Sequence, residues 1–180
     1  MFAVTERLLL RPGWPEDAPA LSRAIGDEAV VRNLARAPWP YTLGDAERAL
    51  ASPRSDPRRP AFLIARRDSP EIVGGIALGG EGDEIELGYW IARRWWGRGF
   101  ATEAGRAVLA LADIGLRLPR IAAAHAIDNP ASGAVLRKLG FRAGGKARRY
   151  SVARGGEMEV RLCTRERGAG GASLPCPLAA

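Results

Sequence analysis

Apolar positions along this 180-residue chain change period several times, and each change marks an element. Residues 5–11 (TERLLLR) read as a first strand, ended by Pro12. Between Trp14 and Arg36 the spacing of Ala18, Leu21, Ile25, Val30 and Leu34 is helical, with a break expected at Gly26-Asp27. Thr42-Leu43-Gly44-Asp45 resembles a capping box, with Asp in place of the usual Glu, and starts a helix to about Ala51. Residues 52–60 (SPRSDPRRP) are too rich in proline for regular structure and read as a loop. Residues 61–66 and 72–78 are short β runs separated by a polar turn. Gly79-Gly80-Glu81-Gly82-Asp83 is a hairpin turn, and residues 84–91 form the next strand.

From Ala101 the period becomes helical, with Ala101, Ala104, Val108, Leu111 and Gly115 on one face. The small side chains at 101 and 104 let this helix lie close to a sheet. Pro119 closes it, and residues 121–127 read as a strand of small residues. Asn129-Pro130 starts another helix with proline in its first turn, and Gly140 stops it. Residues 141–150 and 158–163 are closing strands joined by Arg154-Gly155-Gly156. Beyond Arg167 the chain (GAGGASLPCPLAA) reads as a flexible tail. The expectation is one domain over residues 1–167, with a tail at 168–180. Its class is α/β (α+β): a mixed, mostly antiparallel sheet of six to seven strands flanked by helices, not a doubly wound pattern.

Composition narrows the classes of function. Hydrophobic residues make up 47% of the chain, enough for a core, yet no run approaches the ~20 apolar residues of a membrane span. The first residues put Glu6, Arg7 and Arg11 around three leucines, which does not make a signal peptide, so a cytoplasmic protein without a membrane partner is expected. Cys163 and Cys176 form no ligand cluster, so neither a disulfide scaffold nor a metal site is expected. The net charge of +7 favours an anionic partner. Only Lys138 and Lys146 are lysines among 27 basic residues, and arginine forks phosphate well. The basic residues are scattered rather than striped, which argues against nucleic acid.

One loop gathers the charge. In Arg93-Arg94-Trp95-Trp96-Gly97-Arg98-Gly99-Phe100-Ala101-Thr102, two glycines let the backbone approach a ligand, and the helix that follows turns its free N–H groups back toward the loop. Gly97-x-Gly99 alone is a weak signal, since most such pairs are ordinary turns. No Gly-Lys-Ser/Thr ending makes it a Walker loop. No dinucleotide fingerprint opens the chain, and the kinase signatures are absent. An anion site suited to a pyrophosphate remains.

The string ELGYWIARRWWGRGFATEA, followed after one helix and one strand by DNPASGAVLRKLGF, resembles the GNAT family of N-acetyltransferases, most closely its ribosomal-protein N-terminal (RimJ/RimL-type) branch. The family signature Gln/Arg-x-x-Gly-x-Gly/Ala is met by Arg94-Trp95-Trp96-Gly97-Arg98-Gly99, and the second motif by Asn129 through Lys138-Leu139-Gly140-Phe141. The strong resemblance runs from Glu84 to Phe141, and a weaker one extends over most of the chain. It implies acetyl-CoA bound in a cleft between two splayed strands, here 84–91 and 121–127. The pantetheine arm would pair with the backbone near Trp90, Ile91 and Ala92. The pyrophosphate would meet N–H groups from Arg94 through Trp95, Trp96, Gly97, Arg98, Gly99, Phe100 and Ala101 to Thr102, with Arg94 as its neighbour.

Acetyl transfer from a thioester needs a neutral amine, a stabilised oxyanion and a proton for the leaving thiolate. An α-amine with pKa about 7.7–8.0 pays about 1 kcal/mol to be neutral at pH 7, whereas a lysine amine near 10.4 pays about 4–5 kcal/mol. A weak, water-mediated base therefore suffices for an N-terminal acceptor. Glu86, in the strand entering the cleft, is the candidate base, against the plain alternative of a solvated strand carboxylate. Glu84 is a weaker rival beside the turn. Many members of the family carry a tyrosine where this chain has Leu136, a departure that removes the commonest acid. The resembled branch uses a serine three residues after the Asn, here Ser132, which by resemblance would protonate the CoA sulfur. Asn129 would hold the pantetheine amide or a water, and each of these two residues also suits a plain helix-capping role. His125, alone among alanines, reads as structural. Trp95 and Trp96 read as a cover for the cofactor or the substrate mouth, with plain packing or a dimer contact as the alternative for one of them. Trp39, Tyr41 and the 52–60 loop fall where the family places substrate-facing elements, and Tyr150 is a further candidate for the cleft.

The expected activity is direct acetyl transfer to the α-amine of a protein or peptide. The alternatives are a small amine acceptor (polyamine, amino acid or aminoglycoside) and an acyl-CoA-binding module without turnover. Dimers are common in the resembled branch, and a homodimer is carried over on that ground alone.

Overall fold

The computed structural model describes residues 1–52, 56–80 and 82–168. Three residues of the 52–60 loop, Glu81 of the expected hairpin turn and all but the first residue of the expected tail lie outside the described residues.

Among the described residues, eight strands form one open sheet in the order β1-β2-β3-β4-β5-β6-β8-β7. They are β1 (Ala3–Val4), β2 (Leu8–Arg11), β3 (Ala61–Arg66), β4 (Ser69–Gly79), β5 (Glu86–Ile91), β6 (Arg120–Ala126), β7 (Arg142–Ser151) and β8 (Gly156–Glu166). The count exceeds the expected six to seven because residues 3–4 pair with β2 as a short edge strand. The expected first strand starts later, since Thr5 turns the chain: its N–H reaches Leu8 O at 2.9 Å, and its hydroxyl accepts from Leu8 N at 3.0 Å.

Helices α1 (Ala18–Ile25), α2 (Glu28–Val31) and α3 (Leu43–Ala51) cover one face of the β2–β5 half. The break at Gly26-Asp27 lies where expected, and Asp27 caps α2 through Ala29 N at 2.9 Å. Thr42 and Asp45 make the reciprocal capping box that opens α3. On the other face lies α4 (Phe100–Ala110), with α5 (Pro130–Lys138) beside it. Strands β3 and β4 are therefore covered on both sides, and runs such as Phe62 to Ala65 are continuously buried rather than alternating.

The buried face of α4 is made by Phe100, Ala104, Gly105, Val108 and Leu109, so it is turned from the expected face, on which Ala101 is only partly buried. Residues Leu111–Gly115 continue α4 as a wider π turn that puts Ala112 rather than Leu111 in the core. This end is tied to β8 by the two-point ion pair of Asp113 with Arg165, at 2.9 and 2.7 Å.

The sheet has one parallel junction. Strands β5 and β6 share a single register pair, Glu86 with Ala122, next to a hydrogen bond from Ala122 N to Ile85 O at 2.8 Å. Every other neighbouring pair is antiparallel and has a longer register. The two central strands thus meet at one end and part at the other, which makes the gap that positions the site.

Candidate active site

The gap opens into a cleft of about 1500 Å³. Its lining includes Glu86, Trp90, Ile91, Trp95, Trp96, Gly97, Gly99 and the first turn of α4, together with Asn129 and Ser132. Residues read separately from the sequence thus meet on one surface. Ala92, Arg94 and Arg98 belong to the same loop but are not among the lining side chains.

The loop between β5 and α4 begins as a 3₁₀ turn at Arg93–Trp95. Gly97 (φ 74°) and Gly99 (φ 80°) take left-handed conformations that other residues adopt only at a cost. Gly99 is also the N-cap of α4, so no side chain caps that helix. Nothing lies within 4 Å of where a Cβ on Gly97 would stand. An uncapped helix start beside an open glycine suits an anion, and a diphosphate fits this donor set.

The loop is held from behind. Glu103 accepts from Thr5 Oγ1 at 2.6 Å, Arg7 N at 2.9 Å and Arg7 Nε at 2.7 Å. Arg7 also donates to the Arg98 carbonyl at 3.1 Å and lies over the Phe100 ring. Burial pushes the Glu103 carboxyl up, but the bonds from Thr5 and Arg7 outweigh it and leave the group below its usual range. Trp95 sits between the guanidiniums of Arg66 and Arg98, at 4.8 and 4.7 Å, and donates to Glu71. Arg94 is paired with Glu71, and Arg93 lies 3.7 Å from Asp27, so carboxylates already meet these two charges. The Trp96 indole donates to Ile91 O at 2.7 Å, and Ala92 N donates to Val73 O at 2.9 Å. Two of the backbone groups expected to face a pantetheine arm are therefore engaged within the fold.

Strand alternation places Glu86, Gly88 and Trp90 on one face of β5, and Leu87, Tyr89 and Ile91 on the other. Glu86 is bonded to Arg149 Nη1 at 2.6 Å. Arg149 is raised above the usual guanidinium range, first by that hydrogen bond and against its partial burial. On α5, Asn129 is the N-cap and accepts from Ser132 N at 3.2 Å. The Ser132 hydroxyl lies 2.7 Å from the hydroxyl of Tyr89, which also reaches the Ser132 carbonyl at 3.1 Å. Burial pushes the Tyr89 phenol up to about 12, despite the lowering effect of its bond to Ser132. Leu136 is 1% exposed and belongs to the core, so a tyrosine there would need a different interior.

His125 packs against Gly133 and its Nδ1 lies 2.9 Å from Ala126 O, but the side chain also lines the cleft. Tyr41 and Tyr150 line the cleft, whereas Trp39 does not. Burial raises the Cys163 thiol, which leaves it a poor nucleophile. The sequence reading missed Arg149 and Tyr89. Arg149 stands on a basic strand with no local mark, and Tyr89 looks like an ordinary strand aromatic.

The β7–β8 hairpin borders the cleft through Arg149, Tyr150, Val152, Met158 and Val160. Ser151 Oγ donates to Leu34 O and Val152 N to Ala35 O, both at 3.0 Å. Arg154 grips Asp128 at two points of 2.9 Å and donates to Arg32 O at 2.7 Å.

An acetyltransferase (GNAT) domain model matches residues 7–142. The N-acetyltransferase YoaA of Bacillus subtilis, itself uncharacterized, is 31% identical over 169 residues, covering 86% of this chain and 92% of that one. Among solved structures, RimL, the ribosomal L7/L12 alpha-N-protein acetyltransferase in complex with coenzyme A, superposes with a TM-score of 0.79 at 19% identity, covering 94% and 99% of the two chains. The ribosomal-protein-S5-alanine acetyltransferase of Vibrio fischeri also gives 0.79, at 17% identity and 96% and 100% coverage. At these identities the two structures show a shared fold.

Proposed function

Since this chain belongs to the GNAT acetyltransferase family and is an acyltransferase, we propose that it acetylates the N-terminal α-amine of a protein or peptide, with acetyl-CoA as donor. One observation carries the reading: Glu86, Asn129 and Ser132 line the same gap whose far end meets the uncapped start of α4. Acetyl-CoA would supply the acetyl group as an activated thioester. Backbone N–H groups of residues 97–102 would hold its diphosphate.

Arg149 holds one oxygen of the Glu86 carboxylate at 2.6 Å, and Glu86 acts through the other by orienting a water that takes the acceptor's proton. Such an indirect route suits an α-amine, which is already partly neutral at pH 7 with a pKa of about 7.7–8.0. Ser132 Oγ gives its proton to the leaving sulfur and recovers one from solvent. Asn129 keeps the first turn of α5 in place through the Ser132 N–H.

The cleft lining favours a peptide over a polycation. Asp45, Glu84 and Glu86 are matched there by Arg36, Arg48, Lys138 and Arg149, so no acidic excess draws a polyamine. Apolar residues such as Val30, Leu34 and Met158 suit the first side chains of a peptide. The ribosomal-protein acceptors named for RimL and the Vibrio fischeri enzyme point the same way. The test is a panel of N-terminal tetrapeptides beside polyamines, amino acids and aminoglycosides, read by thiol release from acetyl-CoA. Fastest turnover on a small amine would overturn the peptide assignment.

A further inference from the structure

The acid side of the site contains a second hydroxyl that the sequence reading left out. Tyr89 reaches from β5 to the first turn of α5, and its Oη lies 2.7 Å from Ser132 Oγ and 3.1 Å from Ser132 O. We propose that Tyr89 is a positioning residue for acetyl transfer, whose hydroxyl turns the Ser132 hydroxyl hydrogen toward the cleft. The inference rests on the role given to Ser132 above.

A serine hydroxyl is a free rotor with one hydrogen and two acceptor lone pairs. Left alone on a first helical turn, it spends that hydrogen on a nearby carbonyl or on water. A neighbour that donates to Oγ removes this choice, because the hydrogen must then point away from the donor. Tyr89 is such a neighbour. Its phenol, pushed up to about 12 by burial, keeps its proton across the working range of pH. Either atom of the close pair can donate. If Tyr89 donates to Oγ, the serine hydrogen faces the gap between β5 and β6. If Tyr89 instead gives its one hydrogen to the Ser132 carbonyl at 3.1 Å, its oxygen is left to accept the serine hydrogen and draws it away from the cleft.

When Ser132 gives its proton to the departing sulfur, negative charge builds on Oγ. The 2.7 Å contact from Tyr89 then becomes a charge-assisted bond, stronger than in the resting state. Stabilisation that grows along the reaction raises kcat rather than lowering KM. The tyrosine is also well anchored. Its strand neighbours Leu87 and Ile91 are buried in the same core, and Tyr89 packs against it.

The experiment compares the full-length protein with Tyr89→Phe, Ser132→Ala and the double variant. The acceptors are the fastest peptide of the panel and, independently, water, read as acetyl-CoA hydrolysis. Tyr89→Phe is expected to lower kcat about ten-fold, the worth of one hydrogen bond, with the KM for acetyl-CoA and the CoA-induced rise in melting temperature little changed. The double variant is expected to be no slower than Ser132→Ala alone, since the tyrosine works through the serine. Full kcat in Tyr89→Phe beside a slow Ser132→Ala overturns the role of Tyr89 only. So does a double variant slowed by the product of the two single effects. Wild-type turnover in Ser132→Ala instead overturns the serine assignment itself.

Discussion

Glu86 and Arg149 meet across the cleft from strands β5 and β7, and this contact changes what the carboxylate can do. A base that hands its proton on through water matters most when the acceptor amine is protonated. Glu86→Gln is therefore expected to lower kcat/KM about a hundred-fold below the amine pKa, with the deficit shrinking as pH rises and the amine loses its own proton. A pH–rate profile of both proteins checks this, and a deficit that stays constant with pH would reject the role. Gly133 is a second single-residue case. A Cβ there would stand 2.9 Å from two ring atoms of His125, a partly buried side chain held by Ala126 O. Gly133→Ala should cost about 1–3 kcal/mol, read by chemical denaturation, by overpacking the helix against β6.

At the scale of elements, the loop-to-α4 junction joins stability and binding. Gly99→Ala puts a side chain on a left-handed residue and should destabilise the protein by about 1–2 kcal/mol. It should also reduce the melting shift that CoA produces if, as proposed, the N–H groups moved to relieve the strain are those that hold the diphosphate. The Glu103 tether adds a pH dependence. Its folded-state pKa is depressed, so the stability it contributes is present above its ordinary value of 4.5 and is lost as pH falls through the lower folded value. Wild type should melt higher than Glu103→Gln at neutral pH. The two melting curves should converge as pH drops below about 4.5, the unfolded-state value. A gap that persists at acid pH would mean that packing, not charge, holds the loop.

At the scale of the molecule, the open seam between β5 and β6 divides the sheet. The first half carries the α1–α3 layer, and α4 packs against its other face. The second half crosses the seam through Glu86–Arg149 and through the hairpin latch of Asp128, Arg154 and Ser151 on residues 32–35. The latch joins residues distinct from the loop and α4 start proposed to hold the cofactor. Arg154→Ala is expected to raise the acceptor KM several-fold and leave the KM for acetyl-CoA unchanged, which steady-state kinetics with each substrate varied in turn will test. Equal effects on both constants would mean that the halves do not move separately.

The capping box at Thr42–Asp45, the break at Gly26-Asp27, the glycine loop before α4 and the Asn129–Gly140 helix were legible in the sequence, as was the class of the fold. Each rests on residues a few positions apart, where backbone geometry and local hydrogen bonding leave few choices. Tertiary structure alone decided that Tyr89 meets Ser132, that Arg149 pairs with Glu86 and that Arg7 braces Glu103. Alternation along β5 separates the faces of Glu86 and Tyr89, but it does not name what lies opposite either one. That follows from the insertion of β8 between β6 and β7 and from the parting of β5 from β6 after one register pair. These are contacts between segments distant in the chain, set by how whole layers pack and carrying no local pattern to be read in advance.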